Sequence, residues 1–247
     1  MALTPITLLI AFALGLAVYH AAYLVIDGYK VRAGHLPSVG EFVEESTDDE
    51  NRRTIGYILS GLLMVLGAIL TNNLVSPFGF GDTYGLLLNG GIMLFLAVGL
   101  TLSWIDAETQ MLPSKLIYLG GGSVLALFAA AAISQGGWSL LIPMAVGGAM
   151  YFLFYFLIWF LKPSAFGFGD VRYSFFVGAA VSFLSPGAGF VGFAAAWILA
   201  LAGIIIGTIF GTVSLKGNTK IPFGPWIFLG AVVGIFYGGP IVTMLAL

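Results

Sequence analysis

Residues 173–213 read YSFFVGAAVSFLSPGAGFVGFAAAWILALAGIIIGTIFGTV, a run of 41 residues without a charged side chain. One crossing of a bilayer takes about 20 apolar residues, so this run is long enough for two helices. Pro186 and Gly187 lie near its middle, and together they favour a turn. The stretch therefore predicts two membrane helices that are separated at 185–187.

The rest of the chain has the same character. Of its 247 residues, 60% are hydrophobic and 8% are charged, whereas about 25% of the residues in a soluble domain are charged. This composition excludes a water-soluble globule. The net charge of −2 provides no basic face for nucleic acid. Without cysteine, and with two histidines, the chain has neither a thiolate nucleophile nor a three-histidine metal site, so we expect no metal and no cofactor.

Eight apolar stretches predict an all-α membrane protein, a polytopic bundle of about eight transmembrane helices. The stretches are residues 4–26, 56–75, 84–105, 116–134, 138–161, 171–185, 188–213 and 222–246. This division places all nine basic residues on one side of the membrane: Lys30, Arg32, Arg52, Arg53, Lys115, Lys162, Arg172, Lys216 and Lys220. Because basic residues mark the cytoplasmic face, both termini are predicted to lie outside.

The predicted loop 28–55 is the one long polar segment. Its acidic residues are Glu41, Glu44, Glu45, Asp48, Asp49 and Glu50. A charge run of this kind is usually a solvated connector. The alternative interpretation is a cytoplasmic docking surface for a basic partner.

Two aspartates next to the predicted spans are the main candidates for chemistry, because ionisable groups at such places are costly. Asp106 ends the third predicted span and Asp170 precedes the sixth, so both lie on the predicted cytoplasmic side. Two converging carboxylates in a poorly solvated site share a proton. One can then activate water while the other protonates or polarises a carbonyl. The alternative is that both are ordinary helix-end residues.

Residues around this pair suit the same task. Gly167 and Gly169 precede Asp170, and glycine permits unusual backbone conformations and the close approach of an extended peptide. Asp170 can cap the helix that follows, which would orient its carboxylate. Pro113 suits the first turn of the fourth span.

Two other acidic residues are weaker candidates. Asp82 closes Gly79-Phe80-Gly81-Asp82, which repeats the letters around Asp170, but it falls on the opposite side of the membrane from Asp106. We interpret it as a turn residue. Glu108 lies two positions from Asp106, so on a helix it points elsewhere.

Three segments resemble the type IV prepilin peptidases, intramembrane aspartic proteases that include the archaeal preflagellin peptidases. Residues 105–113, IDAETQMLP, are similar to the family's aspartate followed by a hydrophobic residue and proline. Residues 167–172, GFGDVR, are similar to its glycine-x-glycine-aspartate motif with a basic residue two positions on. Residues 221–225, IPFGP, are similar to the segment before the last span of bacterial members. The three occur in the family's order, across roughly residues 90–235.

The resemblance implies an aspartic endopeptidase of the cytoplasmic membrane. Its substrate would be a pilin, pseudopilin or archaellin precursor, from which it removes a short basic leader at the cytoplasmic face. Asp106 and Asp170 would be the catalytic pair, and the acidic residues 41–50 would dock the leader. Residues 84–247 would form a six-helix catalytic core, preceded by two helices in 1–83. The residues expected to shape the site are Gly167, Gly169, Pro113, Pro222, Phe223, Gly224 and Pro225.

The chain also departs from this family. Many bacterial members carry paired Cys-x-x-Cys motifs and methylate the new amino terminus, and the absence of cysteine from loop 28–55 argues against N-methyltransferase activity here. One alternative is an aspartyl protease of the presenilin and signal-peptide-peptidase type. The aspartates of those enzymes lie on adjacent helices, whereas two predicted spans separate Asp106 from Asp170. Another is a proton- or cation-coupled transporter, in which we would expect carboxylates near the middle of spans.

Overall fold

The structure is a computed structural model that describes residues 5–32, 54–69 without 59, 63 and 66, 83–163, 167–210 and 222–244. Throughout these ranges the chain forms helices and short connections, with no strand. In chain order the helices are α1 (Pro5–Arg32), α2 (Thr54–Ile69), α3 (Thr83–Thr109), α4 (Ser114–Ser134), α5 (Leu141–Leu161), α6 (Phe168–Leu184), α7 (Pro186–Ile209) and α8 (Gly224–Met244). The predicted all-helical class is thereby confirmed for the described residues.

Four helical segments are long and apolar enough to cross a membrane. They are α3, α4, α7 and the segment Trp138–Leu161, which joins a 3₁₀ turn to α5. Large apolar side chains are exposed on the outer faces of α5 and α7, among them Leu153, Leu157, Ile198 and Leu201. Such faces suit lipid rather than water. The protein is therefore membrane-embedded, while the division into eight crossings stays a prediction.

Two helices extend past the apolar stretches predicted as their spans. The first helix continues to Arg32 instead of ending at 26, and α3 continues to Thr109 instead of 105. Loss of hydropathy does not end a helix while backbone hydrogen bonding continues, and the N–H of Gln110 still donates to the carbonyl of Asp106 (2.8 Å). The end of α3 is set by Gln110 itself, whose φ of 52° is left-handed. Asp106 thus lies inside the last turn of α3.

The predicted turn at 185–187 is confirmed as a break between helices. Helix α6 ends at Leu184, and Ser185 has an extended backbone with φ −167° and ψ 139°. Pro186 then starts α7, at a position where its missing N–H costs no helical hydrogen bond.

Glycines set the spacing of α7 and α8. A Cβ added to Gly234 would lie 2.3 Å from the carbonyl oxygen of Ala188, and one on Gly230 would lie 2.5 Å from that of Gly192. No side chain fits at such distances, so the two backbones are in direct contact. Small residues allow the same close approach of helices generally in membrane proteins.

The first two helices pack on α3. The indole Nε1 of Trp104 donates to the hydroxyl of Ser60 in α2 (3.1 Å). The rings of Tyr19 and Trp104 meet edge to face, with centroids 5.4 Å apart. The side chain of Leu96 packs against Gly67, where an added Cβ would lie 2.5 Å from the Cδ1 atom of Leu96. Helices α1 and α2 therefore support the half of α3 that contains Asp106.

Candidate active site

Asp106 is buried near the end of α3, with 4% of its surface exposed. Its Oδ2 accepts a hydrogen bond of 2.8 Å from the backbone N–H of Gly224, 118 residues later in the chain. Gly224 is the first residue of α8, so its N–H has no partner within that helix. The positive end of the helix dipole also favours a carboxylate at this place. The third sequence motif therefore supplies the donor that orients Asp106.

Asp170 is buried in the first turn of α6. Its Oδ2 accepts from the backbone N–H of Gly167 (3.2 Å), while its own N–H donates to the Gly167 carbonyl (3.1 Å). The carboxylate thus caps its own helix from the third helical position, as in one half of a capping box. The other carboxylate oxygen, Oδ1, is buried and has no hydrogen-bond partner among the described residues.

The structure places Asp106 and Asp170 in one buried region, near enough for their charges to interact. The backbones of α3 and α6 scarcely approach each other, whereas α8 contacts both helices. Helix α8 therefore bridges the two helices that carry the aspartates. Proton sharing between the aspartates stays a prediction.

The two glycines before Asp170 have ordinary backbone conformations, which differs from the prediction. Gly167 has φ −76° and ψ 145°, an extended backbone that any residue adopts, and Gly169 is helical. Unusual backbone conformations are therefore not their role. Gly169 is needed for close approach, because a Cβ there would lie 2.9 Å from the Cβ of Leu112. This contact fits the connection between α3 and α4 against the start of α6.

Pro113 lies one residue before α4 rather than in its first turn, with φ −64° and ψ 116°. Its ring lacks an N–H, but its carbonyl accepts from the N–H of Ile117 (3.1 Å). The side chain of Arg172 reaches the same corner: its Nη1 donates to the hydroxyl of Ser114, and its guanidinium lies 4.7 Å above the Phe168 ring. Arg172 thus ties the start of α6 to the start of α4.

Two further residues of the third motif, Phe223 and Pro225, lie among apolar side chains. Phe223 is buried, with its ring centroid 4.9 Å from that of Trp197 and 5.8 Å from that of Tyr155. Pro225 borders an apolar cavity of about 240 Å³ that also touches Ala107. The cavity lies between α2, α3 and α8, and its lining is Met64, Gly67, Leu96, Leu100, Ser103, Trp104, Ala107, Pro225, Phe228, Leu229, Val232 and Phe236. The cavity thus borders Ala107, the residue that follows Asp106 in the chain.

Two residues of the site were missed from the sequence. Tyr173 and Ser103 are both buried, and their hydroxyls lie side by side, with Tyr173 in electrostatic range of Asp106 and Asp170. Ser103 lies three positions before Asp106, and Tyr173 lies three positions after Asp170. This spacing places each residue on the same helix face as its aspartate. That spacing is the signal that could have identified them.

The other predicted acidic positions are exposed or lie outside the described residues. Glu108 is exposed, in agreement with its direction on the helix. Asp82 lies outside the described residues, and so do the acidic residues Glu41, Glu44, Glu45, Asp48, Asp49 and Glu50. Their predicted roles stay predictions.

Comparison with known proteins points the same way as the motifs. The chain is 26% identical over 169 residues to a prepilin leader peptidase/N-methyltransferase of Stutzerimonas stutzeri. The match covers 65% of this chain and 54% of that protein, so the chain spans about half the length of the curated relative it matches. No family model matches the chain, and no solved structure matches it at a significant level. The similarity suggests the prepilin peptidase family.

Proposed function

We propose that this protein is an intramembrane aspartic endopeptidase that removes a short basic leader from type IV prepilin-like precursors. The observation that carries the proposal is the placement of Asp106 and Asp170. Each carboxylate is buried, is held by one backbone N–H, and lies within electrostatic range of the other. The name of the relative, a prepilin leader peptidase, supports the substrate class.

In the proposed reaction one aspartate is ionised and the other carries a proton, because two like charges in a buried site cannot both persist. The ionised carboxylate takes a proton from water as the water oxygen attacks the scissile carbonyl carbon. The protonated carboxylate donates to the carbonyl oxygen. When the C–N bond breaks, the leaving nitrogen takes up a proton from the pair, so that the amide and water become a carboxylic acid and an amine.

The backbone donors prepare this pair. The N–H of Gly224 and that of Gly167 each hold Oδ2 of one aspartate, and a hydrogen bond to a charged acceptor is stronger than one between neutral groups. Each aspartate is therefore oriented through its Oδ2 before substrate binds, and the proposed reaction uses the two carboxylates and water.

The surroundings suit the proposed substrate. A prepilin-like precursor joins a basic leader to a long hydrophobic helix, and the apolar cavity bordered by Ala107 and Pro225 would take apolar side chains of that helix. The acidic residues Glu41, Glu44, Glu45, Asp48, Asp49 and Glu50 would attract the leader on the same face.

We further propose that all eight helices belong to the membrane bundle, with both termini outside and the aspartates at the cytoplasmic face of the cell membrane. The distribution of the basic residues supports this orientation. Residues 84–247 would form the catalytic core, against which α1 and α2 of the segment 1–83 pack. We propose peptidase activity without N-methyltransferase activity, because the chain lacks the cysteines that accompany methylation in many bacterial prepilin peptidases.

The test is a cleavage assay in vesicles that contain the purified full chain and a precursor with a basic leader and a hydrophobic helix. We expect wild-type protein to release the leader and the double variant Asp106→Asn/Asp170→Asn to leave the precursor intact. A second precursor, with the basic leader residues replaced by serine, should be cut more slowly. Intact precursor with wild-type protein, together with proton flux that depends on the two aspartates, would instead establish a transporter.

A further inference from the structure

Tyr173 reaches across the gap between the two aspartate-bearing helices. It lies three residues after Asp170 on α6, and its side chain borders a small space with Gly99 and Leu102 of α3. Side chains on a helix lean toward its N-terminus, which for Tyr173 is the turn that holds Asp170. Since the backbones of α3 and α6 scarcely approach each other, this ring is one of the groups that fill the space between them.

The hydroxyl of Tyr173 is buried without a hydrogen-bond partner among the described residues. The hydroxyl of Ser103 lies beside it, but Ser103 donates its own hydrogen to the carbonyl of Gly99 (2.7 Å). The two hydroxyls do not complete a hydrogen bond of ordinary geometry. The Tyr173 residue is only 3% exposed, so solvent does not take the place of a partner.

A matching acceptor lies in the same site. Oδ1 of Asp170 is also buried and also has no hydrogen-bond partner in the described part of the chain. A phenol donates one hydrogen and a carboxylate oxygen accepts it. Leaving a buried donor and a buried acceptor unpaired costs stability, and catalytic hydrogen bonds that are long in a substrate-free site tighten when the site closes.

We propose that Tyr173 is a positioning residue, whose hydroxyl donates a hydrogen bond to the free oxygen of Asp170 when substrate closes the site. This inference rests on the proposed function, because it assigns Tyr173 to the same aspartate pair. The bond completes the hold on Asp170: the Gly167 N–H fixes Oδ2 and Tyr173 fixes Oδ1. A carboxylate held at both oxygens keeps one orientation toward water and the scissile carbonyl through the reaction.

The decisive variant is Tyr173→Phe, which removes the hydroxyl and keeps the ring. In the vesicle cleavage assay we expect kcat to fall about 10- to 100-fold, the effect of losing a hydrogen bond to a charged group, with KM within about twofold. The melting temperature should stay near that of wild-type protein. A merely structural role would lower the melting temperature, or would change KM and kcat together.

Two control variants make the result specific. Tyr118→Phe removes the hydroxyl of an exposed tyrosine whose ring packs against Phe176 of α6, and it should leave kcat unchanged. Ser103→Ala should lower kcat clearly less than Tyr173→Phe does, because the partner of Tyr173 is a carboxylate and not a serine. A loss of kcat in Ser103→Ala equal to that in Tyr173→Phe would overturn the assignment to Asp170.

The same assay separates this inference from the function on which it rests. If wild-type protein cuts the precursor and Tyr173→Phe cuts it with an unchanged kcat, the role of Tyr173 is wrong and the peptidase stands. If wild-type protein does not cut the precursor, the peptidase assignment fails, and the role of Tyr173 in it fails as well.

Discussion

The two candidate catalytic aspartates are held in the same way by different parts of the molecule. Asp170 accepts its hydrogen bond from Gly167, three residues earlier in the chain. Asp106 accepts an equivalent bond from Gly224, on another helix. The first bond forms whenever the first turn of α6 forms, whereas the second exists only after α8 has packed against α3. One half of the site is therefore local and the other half depends on the assembled bundle.

This difference shows where the site is vulnerable. A change at Gly167 keeps the N–H that holds Asp170, while a change at the contact between α3 and α8 is expected to move Asp106 away from its donor. A site divided in this way can also respond to substrate, because a small movement of α8 changes the hydrogen bond of Asp106 and leaves the bond between Gly167 and Asp170 intact.

The largest expected effect comes from replacing either carboxylate, because the proposed reaction needs both, although different parts of the chain hold them. Asp106→Asn and Asp170→Asn should each lower kcat for precursor cleavage by about 1000-fold or more, because an amide can neither take up nor deliver the proton. Glu108→Gln, an exposed acidic side chain on the same helix as Asp106, serves as the control and should retain full activity. Cleavage that survives either aspartate variant would remove that residue from the mechanism.

Gly224→Ala tests the long-range half of the comparison. A Cβ at this position would lie 2.8 Å from Oδ2 of Asp106, so the carboxylate must shift and its hydrogen bond weakens. We expect kcat to fall roughly 10- to 100-fold. Gly90→Ala is the matched control in α3, since a Cβ there meets no atom within 4 Å. Equal activity of the two variants would show that the donor from α8 is dispensable.

Gly169→Ala tests the contact that joins the two halves. Its Cβ would lie 2.9 Å from the Cβ of Leu112, and overpacking of this kind costs about 1–3 kcal/mol. We expect a lower melting temperature and a roughly fivefold lower kcat, because the start of α6 is pushed away from the connection before α4. Gly122→Ala in α4 has open space around it and should change neither quantity.

Gly167→Ala tests the local half and should have the smallest effect. The added Cβ would lie 3.3 Å from Oδ2 of Asp170, the extended backbone tolerates it, and the N–H donor is kept. We expect kcat within about threefold of wild-type protein. A loss of kcat as large as that of Gly224→Ala would mean that the two aspartates are equally sensitive to changes at their donor residues. The distinction between a local and a long-range half of the site would then be wrong.

Much of the fold could be predicted because hydropathy and turn chemistry act locally. The charge-free run 173–213 predicted two helices, and Pro186 predicted the break between them. The extension of α3 to Thr109 could not be predicted from hydropathy, since a helix continues past polar residues until its hydrogen bonding stops. The function of the pair and its sidedness remain predictions.

The site divides along the same line. The amino-acid sequence alone predicted that the chain forms apolar helices, and that Asp106 and Asp170 lie at the ends of two of them. Only the tertiary structure decided that Gly224 holds Asp106, that Gly169 serves close packing, and that Tyr173 lies between the aspartate helices. The physical reason is range: helix formation and capping depend on neighbours within four residues, whereas these contacts depend on how closely separate helices pack.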